Sequence, residues 1–226
     1  MWTALVPEAQ LDRSRLRVDL RTGTRVILRE PHTADALAEI NRMAPAASVV
    51  IEDVFTGPDS TPLTPTSRLL RMPVMNRPPG PVEPPSPTTR VIEVHDPDTL
   101  AEAERVMVDG FPFPHHQPWI RGQALPPRVL ELPGWRVWLG YVHGDPAAAA
   151  YTYDDGYATG VYWLATLPAH RGHGLARAVL STAIAARPEH EFTLVATEAG
   201  RPLYELLGFT TVATAVWHTR PPLTGH

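Results

Sequence analysis

The feature that most restricts how this chain can fold is the run Arg171-Gly172-His173-Gly174-Leu175-Ala176. It stands between an apolar strand pattern, Ala158 to Thr166, and an amphipathic helix pattern that starts at Leu175 and reaches Arg187. A helix N-terminus carries unpaired N–H groups and a partial positive charge, and glycines let the main chain approach an anion closely. Such a segment can hold a pyrophosphate without lysine, and the chain contains no lysine. The run lacks the Gly-Lys-Ser/Thr ending of a Walker loop, and its glycines do not have the spacing of a dinucleotide fingerprint. Two glycines before a helix also make an ordinary tight turn, so the flanking pattern decides between the readings.

That flanking pattern alternates. The periodicity predicts a strand at Arg90 to Val94, then a helix capped by Asp96 with Pro97 at its first position and Gly110 as its stop. Phe111 to Pro127, rich in Pro, His and aromatic residues, reads as a long binding loop. A hairpin follows, Arg136 to His143 and Ala147 to Asp154, then the strand ending at Thr166. Beyond the glycine run come a helix, a strand Phe192 to Ala196, a helix near Gly200 to Leu207 and a last strand Thr211 to His218. An antiparallel meander passing into β-α-β-α-β implies a mixed, twisted sheet with helices on its faces.

Residues 1–75 read as a small α/β unit, with strands at Arg25 to Arg29, Ser48 to Phe55 and Arg68 to Met75 and a helix at Thr33 to Met43. No catalytic spacing is visible there, and the unit is expected to act as a substrate wall or to be a degenerate half of a similar domain. Residues 76–88, with six prolines, read as a semi-rigid linker, 89–220 as the main domain and 221–226 as a tail.

Composition excludes several chemistries. Without cysteine there is no disulfide, no thiolate metal site and no thioester on the protein, and without lysine no Schiff base. A net charge of −4 and the absence of a basic run argue against nucleic acid. No apolar run reaches the roughly 20 residues of a membrane helix, and Met1 to Gln10 lacks a signal-peptide pattern, so a cytoplasmic location is expected. His170 and His173 have a metal-like spacing but no carboxylate partner, and no metal is expected. Ser181 lies inside a helix rather than at a nucleophile elbow.

Arg171, Gly174 and Ala176 match the Arg/Gln-x-x-Gly-x-Gly/Ala signature, and Val161 to Pro168 looks like the strand that precedes it. Pro202-Leu203-Tyr204-Glu205-Leu206-Leu207-Gly208-Phe209 is similar to a late helix in which Tyr is followed four and five residues later by Gly-Phe. In these three features the region from Thr89 to Arg220 resembles the GCN5-related N-acetyltransferase (GNAT) family. The resemblance implies a mixed α/β fold with a mostly antiparallel sheet, and an acetyl-CoA-dependent transfer to an amine; the acidic balance of the chain, the lack of a peptide-groove signature and an N-terminal unit that could close a compact pocket point to a small-molecule acceptor.

Residue by residue, the resemblance assigns Leu164, Ala165 and Thr166 to the pantetheine arm. It assigns the backbone of Arg171, Gly172, His173, Gly174, Leu175 and Ala176, with Arg177 behind, to the pyrophosphate. Tyr204 matches the tyrosine that protonates the departing thiolate; a phenol with pKa near 10 is suited to that step. Many relatives carry a glutamate base at the start of the fourth strand, where this chain reads Tyr157-Ala158-Thr159-Gly160. Candidates for the base are Asp154, Asp155, His115, His116 and a water chain, and His115, His116, Trp119 and Asp154 are candidate acceptor contacts. Another acyl-CoA, a hydroxyl acceptor and a non-catalytic acyl-CoA sensor remain as alternatives. Exposed strand edges also allow a homodimer.

Overall fold

A computed structural model describes residues 6, 9–20, 23–42, 48–57, 59–62, 67–85, 89–111 and 116–221, and for Asn41 the backbone only. Its contacts divide the chain into two units. One takes the described residues of Met1–Met75, Val195–Gly200 and Thr211–His226, the other those of Asn76–Leu194 and Arg201–Thr210.

In the first unit the strands are β1 (Gln10–Leu11), β2 (Arg15–Leu20), β3 (Gly23–Leu28), β4 (Ser48–Asp53) and β5 (Arg68–Arg77, as far as Met75). The order is β1-β2-β3-β4, then the final strand β11 (Thr210–Arg220, from Thr211 on), then β5. β3 and β4 are parallel and are joined through helix α1 (Ala34–Arg42). Every second residue of β3 and β4 is buried; of these the apolar Val26, Leu28, Val49 and Ile51 form one face that Leu37 and Ile40 of α1 cover, while Thr24 and Asp53 continue the same alternation as buried polar groups. β1 and β2 lie outside the strands expected from periodicity. β2 alternates weakly, and antiparallel pairing with β3 from Arg15↔Leu28 to Leu20↔Gly23 makes it a strand.

The second unit contains β6 (Arg90–Glu93), α2 (Pro97–Gly110), β7 (Trp135–Val142), β8 (Asp145–Asp154), β9 (Thr159–Thr166), α3 (Leu175–Ala185), β10 (Phe192–Val195, as far as Leu194) and α4 (Arg201–Leu206). Its strand order is β10-β9-β8-β7-β6; β9 and β10 are parallel and the others antiparallel. The expected mixed sheet with flanking helices is therefore present.

α2 is capped as expected: the Asp96 carboxylate accepts the N–H groups of Asp98 and Thr99 at 3.0 and 2.9 Å. α3 buries Leu175, Val179 and Ala183 against Trp138, Ala148 and Ala150, so it lies on their face of the sheet. The residues alternating with these, among them Ala149 and its partner Ala165, face the other way, and a Cβ on Gly110 at the end of α2 would touch Ala165 at 3.0 Å. The end of α2 thus meets the face opposite α3.

Two buried polar groups organise the loops of this unit. Glu104, wholly buried in α2, accepts the N–H groups of Gly122, Ala124 and Leu125 at 2.7, 2.6 and 2.9 Å and so anchors the loop after α2. Arg77 donates to the carbonyls of Pro78, Gly80 and Pro81 and, at 2.8 Å, to that of Leu207. The start of the proline-rich segment thereby wraps a buried guanidinium.

Candidate functional site

β9 is paired unequally on its two sides. Toward β8 it is paired along its length, but toward β10 only Phe192↔Thr159 and Thr193↔Gly160 are in register, although β9 continues to Thr166. Beyond Gly160 no register with β10 is recorded among the described residues, and a strand edge without a neighbouring strand is the kind of edge an extended ligand can pair with. Toward β8 the register shifts: Ala149 stands opposite Ala165 and Tyr151 opposite Tyr162, so Trp163 and Leu164 together face Ala150. This is a β-bulge, with Trp163 at φ 50° taking the turn. Ala165 and Thr166 follow it directly.

After Thr166 the chain turns through Pro168–His170 into the glycine run. Gly172 and Gly174 have φ 79° and 76°, and a Cβ at either position meets nothing within 4 Å. The glycines are therefore required by backbone conformation, not by crowding from the protein, and the space beside them is open. Gly174 is the N-cap of α3 and no side chain caps the amides that follow. Arg171, itself exposed, donates to the carbonyls of Thr166 (3.1 Å) and Gly110 (2.8 Å). It ties the strand end and the α2 end to the loop. His173 is exposed, its Nδ1 3.4 Å from the His170 carbonyl. Arg177, half-exposed, is ion-paired with Glu83.

The Tyr-Gly-Phe spacing near the C-terminus has a local cause. Gly208, at φ 85°, ends α4; its N–H reaches the Glu205 carbonyl and the Phe209 N–H reaches that of Tyr204, each at 3.0 Å. This is a Schellman stop, and its usual apolar contact joins Tyr204 to Phe209, whose ring centroids are 5.9 Å apart. Burial pushes the Tyr204 phenol up to about 12. Among the described residues nothing hydrogen-bonds its hydroxyl.

The face of the sheet carrying Tyr151 is aromatic. Tyr151 stacks on Trp135 (4.9 Å, 23°) and on Tyr162 (5.1 Å, 13°), and Trp163 meets it edge-on at 5.6 Å. The bulge is what brings the consecutive residues Tyr162 and Trp163 to the same ring. His116 lies 6.1 Å from Trp163, while Trp119 lies beneath the Arg105 guanidinium at 5.8 Å. His115 falls outside the described residues. Trp135 and Tyr151 of this aromatic group are buried, and the bulge, which no sequence motif announces, is what adds Tyr162 and Trp163 to it.

Asp154 is not brought to this face. It lies in register with Thr159 at the far end of β8, its carboxylate 3.1 Å from His190 Nδ1, and accepts the Gly156 N–H. With Thr152 and Trp138 it lines a cavity of about 160 Å³ beside Ala183 and Arg187. Asp155 accepts the Ala158 and Tyr157 N–H groups, which hold its carboxyl below the usual range. Both carboxylates serve the turn. Among the described residues no cluster of His, Asp and Glu could hold a metal, and no helix is long and apolar enough to cross a membrane.

Residues 133–211 match the family model of the acetyltransferase (GNAT) domain. A search of the curated proteins returned no match. Among solved structures, the chain is similar to a GCN5-related N-acetyltransferase from Kribbella flavida at 19% identity, covering 97% of this chain and 90% of that one, with a TM-score of 0.65. It is also similar to an acetyltransferase of the GNAT family from Novosphingobium aromaticivorans (19% identity, 96% and 94% covered, TM-score 0.63). A functionally unknown conserved protein from Staphylococcus epidermidis gives a TM-score of 0.69 at 10% identity, with 94% and 93% covered. At these identities the structural likeness establishes the fold.

Proposed function

We propose that this protein, which carries a GNAT acetyltransferase domain on a GNAT fold, transfers the acetyl group of acetyl-CoA directly to the amine of a small-molecule acceptor. The observation that carries this reading is the half-paired strand β9 leading into an uncapped helix start with Gly172 and Gly174 at positive φ. An extended, amide-bearing arm ending in a pyrophosphate fits that sequence of open backbone edge and exposed amides. Leu164, Ala165 and Thr166 would pair with the pantetheine amides, and the backbone from Gly172 to Ala176 would receive the pyrophosphate. Arg171 acts by holding the loop. Arg177 would exchange Glu83 for phosphate, at little cost because a half-exposed ion pair contributes little.

With the pyrophosphate at the start of α3, the arm runs back along β9 and its acyl end comes to the bulge. There the amine nitrogen attacks the acetyl carbonyl carbon, whose oxygen a β9 N–H can stabilise as charge develops. The C–S bond of the tetrahedral intermediate then breaks. Tyr204, protonated at neutral pH, gives its proton to the thiolate, and the proton lost by nitrogen passes through water to restore the phenol.

The test is thermal stability with acetyl-CoA and free CoA, followed by thiol release over a panel of amines. Ligand at about 100 times its Kd adds about 2.7 kcal/mol to the folded state. Stabilisation with amine-dependent thiol release is the expected result, and Gly174→Val, which forces a branched residue to φ 76°, should lose the stabilisation. No stabilisation of the wild type would end this reading. Stabilisation without release from any acceptor would support a non-catalytic acyl-CoA sensor, a reading favoured by one observation, the engagement of Asp154 and Asp155 in the turn.

A further inference from the structure

We propose that the cavity at the C-terminal end of α3 is a second binding site, for one small α-amino acid, separate from the site of acetyl transfer. The site stands whether or not the transferase reading does. The cavity lies where Thr152 and Asp154 of β8 meet Ala183 of α3 and Arg187 just beyond the helix, on the face of the sheet that α3 covers. Gly174, at the other end of α3, belongs to the segment proposed for the pyrophosphate. The cavity measures about 160 Å³. A space of about 150 Å³ holds one benzene, and alanine has as many non-hydrogen atoms as benzene.

The walls carry both signs of charge. The Arg136 and Arg187 guanidiniums donate no hydrogen bond among the described residues; their ionic partners there, Glu93 and Glu189, stand 3.6 and 3.9 Å away. Thr152, 3% exposed, accepts the Trp138 indole N–H at 3.1 Å, and its own hydroxyl proton has no acceptor among the described residues. Against these donors stands the carboxylate of Asp154. His190 Nδ1, at 3.1 Å, and the Gly156 N–H fix it, and two such contacts leave lone pairs to spare. His190 is itself held by Thr159 at 3.2 Å and lies 3.6 Å from Glu189. Trp138 and Ala183, packed in one cluster, supply an apolar wall.

In so small a space a lone anion would gain the guanidiniums but face Asp154, and a lone cation would gain Asp154 but face the guanidiniums. A zwitterion satisfies both. Its carboxylate would take Arg136, Arg187 and the Thr152 hydroxyl, its ammonium would take Asp154, and a short side chain would lie on Trp138 and Ala183. The volume excludes a long side chain.

Calorimetric titration of the full chain with L-alanine, propionate, ethylamine and L-phenylalanine tests this. Propionate keeps the carbon skeleton and carboxylate of alanine without the ammonium, and ethylamine keeps the ammonium without the carboxylate. Alanine should bind at one site per chain, with or without saturating CoA, and at least about 10-fold more tightly than the other compounds. Arg187→Gln, at a half-exposed position, should weaken alanine by about 10-fold, and Asp154→Asn should bring propionate level with alanine. No binding of alanine, equal binding of propionate, ethylamine or phenylalanine by the wild type, or undiminished alanine binding in an Arg187→Gln variant would each overturn the proposal. Alanine-dependent thiol release from acetyl-CoA that is lost in Arg187→Gln would make the cavity the acceptor pocket and overturn it as a separate site.

Discussion

Tyr204 satisfies a structural rule, and in the proposed reaction it would satisfy a chemical one as well. Its carbonyl takes the Phe209 N–H that closes α4, and its ring packs on Phe209, so the backbone stop fixes where the phenol stands. Burial raises that phenol to about 12, which keeps it protonated through its ordinary value of 10.0. Tyr204→Phe keeps the ring contact and removes the proton. It should lower kcat by about 100-fold, the scale of a single general acid, with CoA affinity unchanged. The wild-type pH–rate profile should show no loss of the acid from this group up to pH 10.0. An unchanged kcat in the variant would leave Tyr204 a packing residue. The Tyr-Gly-Phe spacing was legible in the sequence because a Schellman stop is local; the height of the pKa was not, because it comes from what surrounds the ring.

At the scale of elements, α2 and the loop after it behave as one piece because Glu104 joins them. Its carboxylate is wholly buried and accepts three main-chain N–H groups, so the loop residues from Gly122 to Leu125 are held from inside the helix. Glu104→Ala would leave three donors facing a void. The cost should be about 3 kcal/mol in urea denaturation, and hydrogen exchange at Gly122, Ala124 and Leu125 should accelerate together. If exchange there were unchanged, other contacts hold the loop. Sequence reading placed α2 from Asp96 and Pro97, a cap and a first-position proline that lie within the element; the expected stop at Gly110 is the last helical residue, with Phe111 as C-cap, and its glycine is called for by the close approach to Ala165. Sequence reading could not see Glu104, because its partners lie 18 to 21 residues away. β1 and β2 escaped for the same reason: they are strands by pairing rather than by pattern.

For the whole molecule, stability should depend on pH through a histidine of the first unit, His218. His218 on β11 is 2% exposed, and burial pushes its imidazole below the ordinary 6.5, with Arg71 adding to the effect and Asp53 opposing it. The unfolded chain takes up this proton at about 6.5 and the folded chain only at lower pH, so the folded state is favoured above 6.5 and weakens as pH falls below it. The loss from this group is limited to about 1.4 kcal/mol per pH unit. Urea midpoints at pH of about 7.5 and 5.5 should fall for the wild type and fall less for His218→Phe; an equal fall in both would place the acid sensitivity elsewhere. The sequence by itself determined what is written in neighbouring residues: the β-α-β alternation, the α2 N-cap, the glycine run that turns a strand into a helix start, and the α4 stop. Tertiary structure decided where β9 parts from β10, the bulge that turns Tyr162 and Trp163 to one face, the removal of Asp154 from that face, the buried guanidinium of Arg77 and the carbonyls that Arg171 joins. The division is physical, because caps, turns and periodicity act over one or two turns of chain, while pairing register, burial and buried-charge partners depend on residues that only the folded chain brings together.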